Sequence, residues 1–186
     1  MTGTWPRAWF AIALLVPATA LLYAAHLVSA GAPARQRAAR LEAVFAEALS
    51  LRRTPPLAPL EVGNRRGVVW YGPASGTPAA CLGIVSGEGY RSRIEIAVVV
   101  SGGAIAGVAV LAHDESSRFG TLALEDATWL AGFQGLRAGA RIAPRRLGGS
   151  VDAVSGATIT SETVIELVSR AAGAASGCPA AGVPDR

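Results

Sequence analysis

The chain of 186 residues is long enough for one modest domain with a membrane anchor and too short for two full domains. Its formal net charge of +4 comes from 17 basic and 13 acidic residues, and every basic residue is an arginine. Because these arginines are scattered as short pairs without interleaved aromatic side chains, the sequence does not predict nucleic-acid binding.

Residues 8–30 form a run of 23 residues without a formal charge, after a short tail at 1–7. A helix of about 20 residues spans the bilayer core, so this run predicts a single transmembrane helix. Trp5 and Trp9 near one end suit the membrane interface. The alternative is a cleaved signal peptide ending near Ala30, but the run is longer than the roughly 7–15 apolar residues of such peptides.

Residues 31–59 are predicted to form an amphipathic helix and a proline-rich linker. The helix is expected from Arg35 to Leu51, where apolar residues recur with helical spacing. The segment from Thr54 to Pro59 contains three prolines and is expected to end the helix and act as a stiff linker.

Residues 60–175 are predicted to form one α+β domain with an antiparallel sheet and flanking helices. β-Branched residues and turn signals predict a hairpin from Ile94–Val100 and Ala104–Ala112. Further strands are expected at Gly67–Tyr71 and Pro78–Val85. Helical spacing predicts a short helix at Ala127–Phe133 and a longer one at Ser161–Ala175, and the tail at 176–186 is expected to be flexible.

Two cysteines, Cys81 and Cys178, lie far apart in the sequence. They form no C-x-x-C motif, and the spacing leaves open whether they form one disulfide or two free thiols. The chain has only two histidines, of which His26 falls in the predicted anchor, so no metal site is predicted.

The segment Ser155-Gly-Ala-Thr158 lies between a loop and the start of the last predicted helix. Gly156 and Ala157 have almost no side chain, so a large group can approach the backbone closely. A helix start offers unpaired N–H groups and a partial positive charge, which suit a phosphate. The Thr158 hydroxyl can then accept a phosphoryl group. The alternative is that Thr158, Thr160 and Ser161 merely cap the helix.

The run from Asp152 to Thr158 resembles the flavinylation motif of the FMN-binding domain family. The Gly89-Tyr90 pair before the predicted hairpin and the spacing of Trp129 and Phe133 are similar to the same family. The segment His113–Gly120 occupies the place of the family's His-x-Glu-Thr-Pro-Gly-Leu-Gly, from which it departs at Ser116, Ser117, Arg118 and Phe119. The resemblance covers roughly residues 5–172.

The resemblance implies a covalently linked FMN. An FAD-dependent flavin transferase would join FMN to Thr158 as a phosphoester. The resemblance further implies recognition and packing roles near the ester, and a flavin-lining role for the loop after the hairpin. The recognition and packing residues are Asp152, Ser155, Gly156, Ala157 and Ser161. Of these, Ser161 is expected to hydrogen-bond near the phosphate. The flavin-lining residues are His113, Glu115 and Phe119.

The resemblance also implies an electron-carrier subunit working with the other subunits of an Rnf-type ion-translocating membrane complex. The chain would cross the inner membrane once, with its domain on the periplasmic side, and no residue would act as a catalyst in turnover. Counting arginines on the two sides of the run would instead place the domain in the cytoplasm. The alternatives are an anchored FMN-binding protein of another extracytoplasmic redox system and a cofactor-free anchored binding domain.

Overall fold

The computed structural model describes residues 15–24, 32–60, 65–75, 79–115, 120–175 and 178. The chain divides into two compact units, Met1–Arg40 and Leu41–Arg186. In the first unit, residues 15–24 are helical. The second unit contains the sheet and, from Leu41 onward, the helical residues that pack on it.

From residue 32 onward, the described elements begin with a helix, continue through the strands and end with helices. They are α1 (Ala32–Ala48), β1 (Leu57–Pro59), β2 (Val69–Pro73), β3 (Ala80–Glu88), β4 (Arg93–Ser101), β5 (Ala104–Ala112), α2 (Thr121–Glu125), α3 (Ala127–Ala131) and α4 (Thr158–Ala174). Short 3-10 turns lie at Arg65–Gly67 and Arg145–Leu147.

The five strands form one antiparallel sheet in the order β1-β2-β3-β4-β5. The predicted hairpin is confirmed, since β4 pairs with β5 around a tight turn at 102–103, where both glycines have positive φ. Strand β4 is buried along most of its length, because both faces of the sheet are covered.

The two faces of the sheet carry separate hydrophobic clusters. One face packs against α4 through alternate residues of β4, beginning at Ile94, and through the helix stripe that includes Val164 and Val168. The opposite face packs against the part of α1 that contains Leu41 and Phe45. The predicted α+β fold with flanking helices is therefore confirmed.

The segment between α1 and the sheet differs from the prediction. Helix α1 ends at Ala48, because Ser50 adopts a left-handed conformation and the Leu51 amide donates back to the Ala46 carbonyl. Residues Leu57–Pro59, predicted as part of a linker, pair with β2 as an edge strand. An edge strand tolerates prolines because one side of its backbone has no strand neighbour.

Cys81 and Cys178 form a disulfide across a sequence separation of 97 residues, with their Cα atoms 6.1 Å apart. Cys81 lies in β3 and Cys178 follows α4, so the bond fastens the end of the helix to the sheet. Both residues are buried. Cys178 falls within the tail 176–186 predicted to be flexible, and its burial and covalent bond contradict that prediction at this position, whereas 176–177 and 179–186 lie outside the described residues.

The predicted anchor lies only partly within the described residues. The helical residues 15–24 are exposed. Across the stretches of chain that the structure describes, none of the helices combines the length and apolar character needed to span a bilayer. The transmembrane helix at 8–30 therefore stays a prediction.

Candidate functional site

The Ser-Gly-Ala-Thr segment leads directly into α4, which begins at Thr158, three residues earlier than predicted. The residue at the N-cap is Ala157, whose methyl group cannot accept a hydrogen bond, and Gly156 before it has a φ of 82°. This contradicts the alternative in which Thr158, Thr160 or Ser161 caps the helix. Thr158 is instead the first helical residue, and its side chain is exposed.

The start of α4 presents free backbone donors. The first intrahelical bond joins the Ser161 amide to the Ala157 carbonyl at 2.8 Å. The amides of residues 158–160 precede that bond and therefore have no acceptor within the helix. Together with the helix dipole, these amides favour an anion at this position.

Ser161 is fully buried and holds the loop in place. Its hydroxyl donates to the Ala157 carbonyl at 2.8 Å and accepts from the Val154 amide at 3.0 Å. The single hydroxyl proton is already used inside the protein. In this arrangement Ser161 fixes the shape of the loop. The sequence had suggested instead that Ser161 hydrogen-bonds near the phosphate, but its hydroxyl has no proton left to donate there.

Asp152 is fixed at the other end of the loop. The two oxygens of its carboxylate share a bifurcated hydrogen bond from the Nε–H of Arg145, at 2.9 and 3.0 Å, and its backbone carbonyl accepts one from the indole of Trp129 at 2.6 Å. The Trp129 ring packs edge-on against Phe133, with ring centroids 5.3 Å apart. The exposed Asp152 is thus held in a defined position beside the motif.

A cleft of about 340 Å³ opens at the start of α4. It is lined by residues of the motif and by one residue from the turn between β3 and β4: Gly156, Ala157, Thr158, Ile159, Thr160 and Tyr90. Tyr90 and Ile159 are 55% and 54% exposed, which is high for large apolar side chains. At the opposite extreme, Thr160 is 1% exposed.

The turn that carries Tyr90 is supported by Glu115. The buried Glu115 carboxylate accepts hydrogen bonds from the amides of Arg91 and Ser92, at 3.1 to 3.2 Å. Gly89 lies so close to this carboxylate that a Cβ atom there would collide with it. Glu115 therefore contributes to the cleft by ordering the turn that carries Tyr90, and its predicted flavin-lining role stays a prediction.

Helix α4 is tied to the end of β3 that leads into this turn. The Thr163 hydroxyl donates to the Glu88 carbonyl at 3.0 Å, and the Arg170 guanidinium donates to the Ser86 carbonyl at 2.6 Å. These bonds bring the helix start and the Tyr90 turn together, although the two segments are separated by nearly 70 residues in sequence.

His113 lines a different cavity, of about 560 Å³, with Ser92, Glu95 and Asp114 among its neighbours. The structure therefore does not bring His113 to the cleft beside Thr158. Phe119, the remaining predicted site residue, lies outside the described residues. Within the described parts of the chain, no three metal-ligating side chains come together.

Sequence reasoning did not select Tyr90, Ile159 and Thr160 as site residues. The sequence offered Tyr90 only as part of a family pattern, and Thr160 as a possible cap, as a residue following the motif and, with Ser161, as the next candidate for the linkage. The available signal was the contrast within the first turn of α4, where the apolar Ile159 stands between two threonines. Its meaning depends on which side chains the neighbouring turn covers, and sequence spacing does not contain that information.

Comparison with known proteins relates this site to a family. A family model described as the FMN-binding domain matches residues 89–173, which run from the Tyr90 turn to the end of α4. One subunit of the ion-translocating oxidoreductase complex from Vibrio cholerae strain O395 is 33% identical over 103 residues, 52% of this chain and 49% of that protein. The same subunit from strain M66-2 matches equally. The chain thus spans about half the length of these curated relatives.

A solved structure also resembles the chain. The crystal structure of Shewanella oneidensis NqrC is 25% identical, with a TM-score of 0.47, and the likeness covers 57% of this chain and 56% of that one.

Proposed function

We propose that this chain, whose residues 89–173 carry an FMN-binding domain, is a flavoprotein subunit of an ion-translocating oxidoreductase complex with FMN joined covalently to Thr158. The observation that carries the proposal is the position of Thr158: an exposed hydroxyl on the first residue of a 17-residue helix, at the edge of a cleft. The relatives from Vibrio cholerae, which are subunits of such a complex by name, support the complex as the setting.

The residues of the cleft fit a flavin phosphate. The amides of residues 158–160 and the positive end of the helix dipole favour the phosphate charge, and Gly156 and Ala157 leave room for it. Tyr90 and Ile159 present exposed apolar surface suited to an aromatic ring. A volume of about 340 Å³ lies within the usual range of ligand pockets.

Exposure distinguishes Thr158 from the other hydroxyls of the motif. Thr160 and Ser161 are buried, whereas Thr158 is open to solvent and to a modifying enzyme. In the proposed maturation step, the Thr158 oxygen bonds to the flavin-side phosphorus of FAD and the pyrophosphate P–O bond breaks. AMP leaves with the bonding electron pair, and the hydroxyl proton passes to a base of the flavin transferase.

Each residue of the loop has a role in this proposal. Asp152 is a recognition point for the transferase, because Arg145 and Trp129 hold it exposed in one position. Ser155 is exposed in the same loop and is a second recognition point, whereas Ala157 is buried and packs the loop against the domain. When bound, the flavin supplies the electron-transfer chemistry, and the chain supplies its position and surroundings.

Two further residues enter the proposal from the family resemblance. His113 and Phe119 would line the flavin, for which His113 would have to act from the separate cavity that it lines. Glu115 would act by holding the Tyr90 turn in place, because its carboxylate accepts hydrogen bonds from the backbone of that turn.

We place the FMN-binding domain, which begins at residue 60, on the periplasmic side of the inner membrane. A transmembrane helix at 8–30 would anchor it there. The 23-residue uncharged run supports the anchor. The disulfide between Cys81 and Cys178 supports the compartment, because disulfides persist in the periplasm and are rare in the cytosol. Its partners there would be the other subunits of an Rnf-type complex.

The experiment that tests covalent attachment is co-expression of the full chain with a flavin transferase, followed by denaturing gel fluorescence and intact mass. We expect the wild type to fluoresce and to carry the mass of one esterified FMN, and Thr158→Ala to lose both. Ser169→Ala is the matched control, because Ser169 lies on the same helix but away from its first turn and from the motif, and this variant should keep the flavin. A wild type that stays dark, or a Thr158→Ala variant that still fluoresces, refutes attachment at Thr158.

A further inference from the structure

Thr160 is a buried hydroxyl that the fold does not use. Its side chain is 1% exposed, and its Oγ1 atom has no hydrogen-bond partner among the residues that the structure describes. A buried polar group left without a partner is costly, and proteins usually provide one. The neighbouring Ser161 is equally buried, yet its hydroxyl both donates and accepts.

The unused hydroxyl lies beside the proposed attachment point. Thr160 lines the same cleft as Thr158, in the first turn of α4. The free backbone donors of this turn belong to the same three residues, 158–160. A phosphoryl group in this cleft would supply the acceptor that Thr160 lacks, and a hydrogen bond to a charged oxygen is stronger than one between neutral groups.

We propose that the Thr160 hydroxyl donates a hydrogen bond to a phosphoryl oxygen of the FMN ester on Thr158. The inference rests on the proposed function. It makes Thr160 a binding residue that holds the ester in one orientation, and it explains why a buried hydroxyl at this position has no partner among the described residues.

The proposal predicts that removing the Thr160 hydroxyl does not destabilise the flavin-free protein but weakens the binding of the flavin ester. Thr160→Val keeps the side-chain shape and removes the hydroxyl. Flavin-free Thr160→Val should unfold at the same temperature as the wild type or a higher one, because no hydrogen bond is lost. With the transferase and FAD, its flavin incorporation should slow by about tenfold, as expected for loss of a hydrogen bond to a charged group. In the loaded variant, the phosphorus NMR resonance of the FMN ester should also differ from that of the loaded wild type.

Two variants separate this role from a structural one. Thr160→Ser keeps the hydroxyl and should restore the wild-type rate and resonance. Ser101→Ala removes a hydroxyl that already bonds to the Ala79 carbonyl, at the end of β4 opposite the Tyr90 turn. It should therefore lower the unfolding temperature of the flavin-free protein and leave the phosphorus resonance unchanged.

The outcomes distinguish covalent attachment of FMN to Thr158 from the hydrogen bond of Thr160. A wild type without the FMN mass on Thr158 refutes the proposed function, and this inference with it. A loaded wild type whose rate and resonance match those of Thr160→Val overturns this inference alone. So does a flavin-free Thr160→Val that unfolds at a lower temperature than the wild type, since that would show a structural use of the hydroxyl.

Discussion

The indole nitrogen of Trp129 donates a hydrogen bond of 2.6 Å to the backbone carbonyl of Asp152. This bond joins helix α3 to the first residue of the loop that ends at Thr158. The loop is closed at its other end by Ser161, whose hydroxyl bonds to Val154 and Ala157. The segment that carries the proposed attachment point is therefore held at both ends before any cofactor binds.

We expect Trp129→Phe to lower the free energy of unfolding by about 1 kcal/mol, because the Asp152 carbonyl loses its side-chain donor. Flavin incorporation by the transferase should slow as well, since the loop loses one of its supports. Chemical denaturation and timed gel fluorescence measure the two effects. Phe133→Leu is the control: it removes the ring contact and keeps the indole bond, so it should cost stability and leave incorporation unchanged. Equal incorporation by Trp129→Phe and the wild type would contradict this role.

Gly156→Ala should destabilise the chain by about 1–2 kcal/mol, because the φ of 82° at this position is strained for any residue with a Cβ. It should also reduce flavin incorporation, since the added methyl narrows the approach to Thr158. Gly135→Ala is the matched control: its φ is 79°, and nothing lies within 4 Å of the added Cβ. We expect similar unfolding free energies for the two variants and normal incorporation only in Gly135→Ala. Normal incorporation in both would show that Gly156 has no part in the site.

Glu115→Gln should lower the free energy of unfolding by about 1–3 kcal/mol, because an amide group replaces a buried carboxylate that accepts from two backbone amides. Loss of this support should also increase amide hydrogen exchange at Arg91 and Ser92. Glu88→Gln is the surface control: its carboxylate lies 3.9 Å from Arg93 and is largely exposed, so the change should stay within about 0.5 kcal/mol. Unchanged exchange in Glu115→Gln would argue against its role in ordering the turn.

Replacing both Cys81 and Cys178 with alanine should cost about 2–5 kcal/mol of unfolding free energy, because the bond closes a loop of 97 residues in the unfolded chain. Guanidinium denaturation with and without reductant measures this. Reductant should weaken the wild type and leave the double variant unaffected. A wild type indifferent to reductant, and equal in stability to the double variant, would show that the thiols are not bridged.

Local patterns predicted several elements well. The hairpin of β4 and β5 followed from β-branched residues on either side of a Gly-Gly turn, and the body of α4 from its apolar stripe. Boundaries were less accurate. Helix α4 begins at Thr158 because the amide and the hydroxyl of Ser161 both bond to the Ala157 carbonyl four residues earlier, a choice of helix start that the apolar stripe does not contain. Strand β1 exists because β2 lies beside it, and that partner is not visible from local spacing.

The amino-acid sequence by itself determined the motif around Thr158, the resemblance to FMN-binding domains and the identity of the central strands. These features depend on residues adjacent in the chain, where spacing and side-chain chemistry act directly. Only the tertiary structure decided that the Tyr90 turn joins Thr158 in one cleft, that Cys81 meets Cys178, and that Thr160 is buried with no hydrogen-bond partner in the described part of the chain. Such relationships require residues distant in sequence to pack together, and packing is settled by the burial and hydrogen bonding of the whole domain.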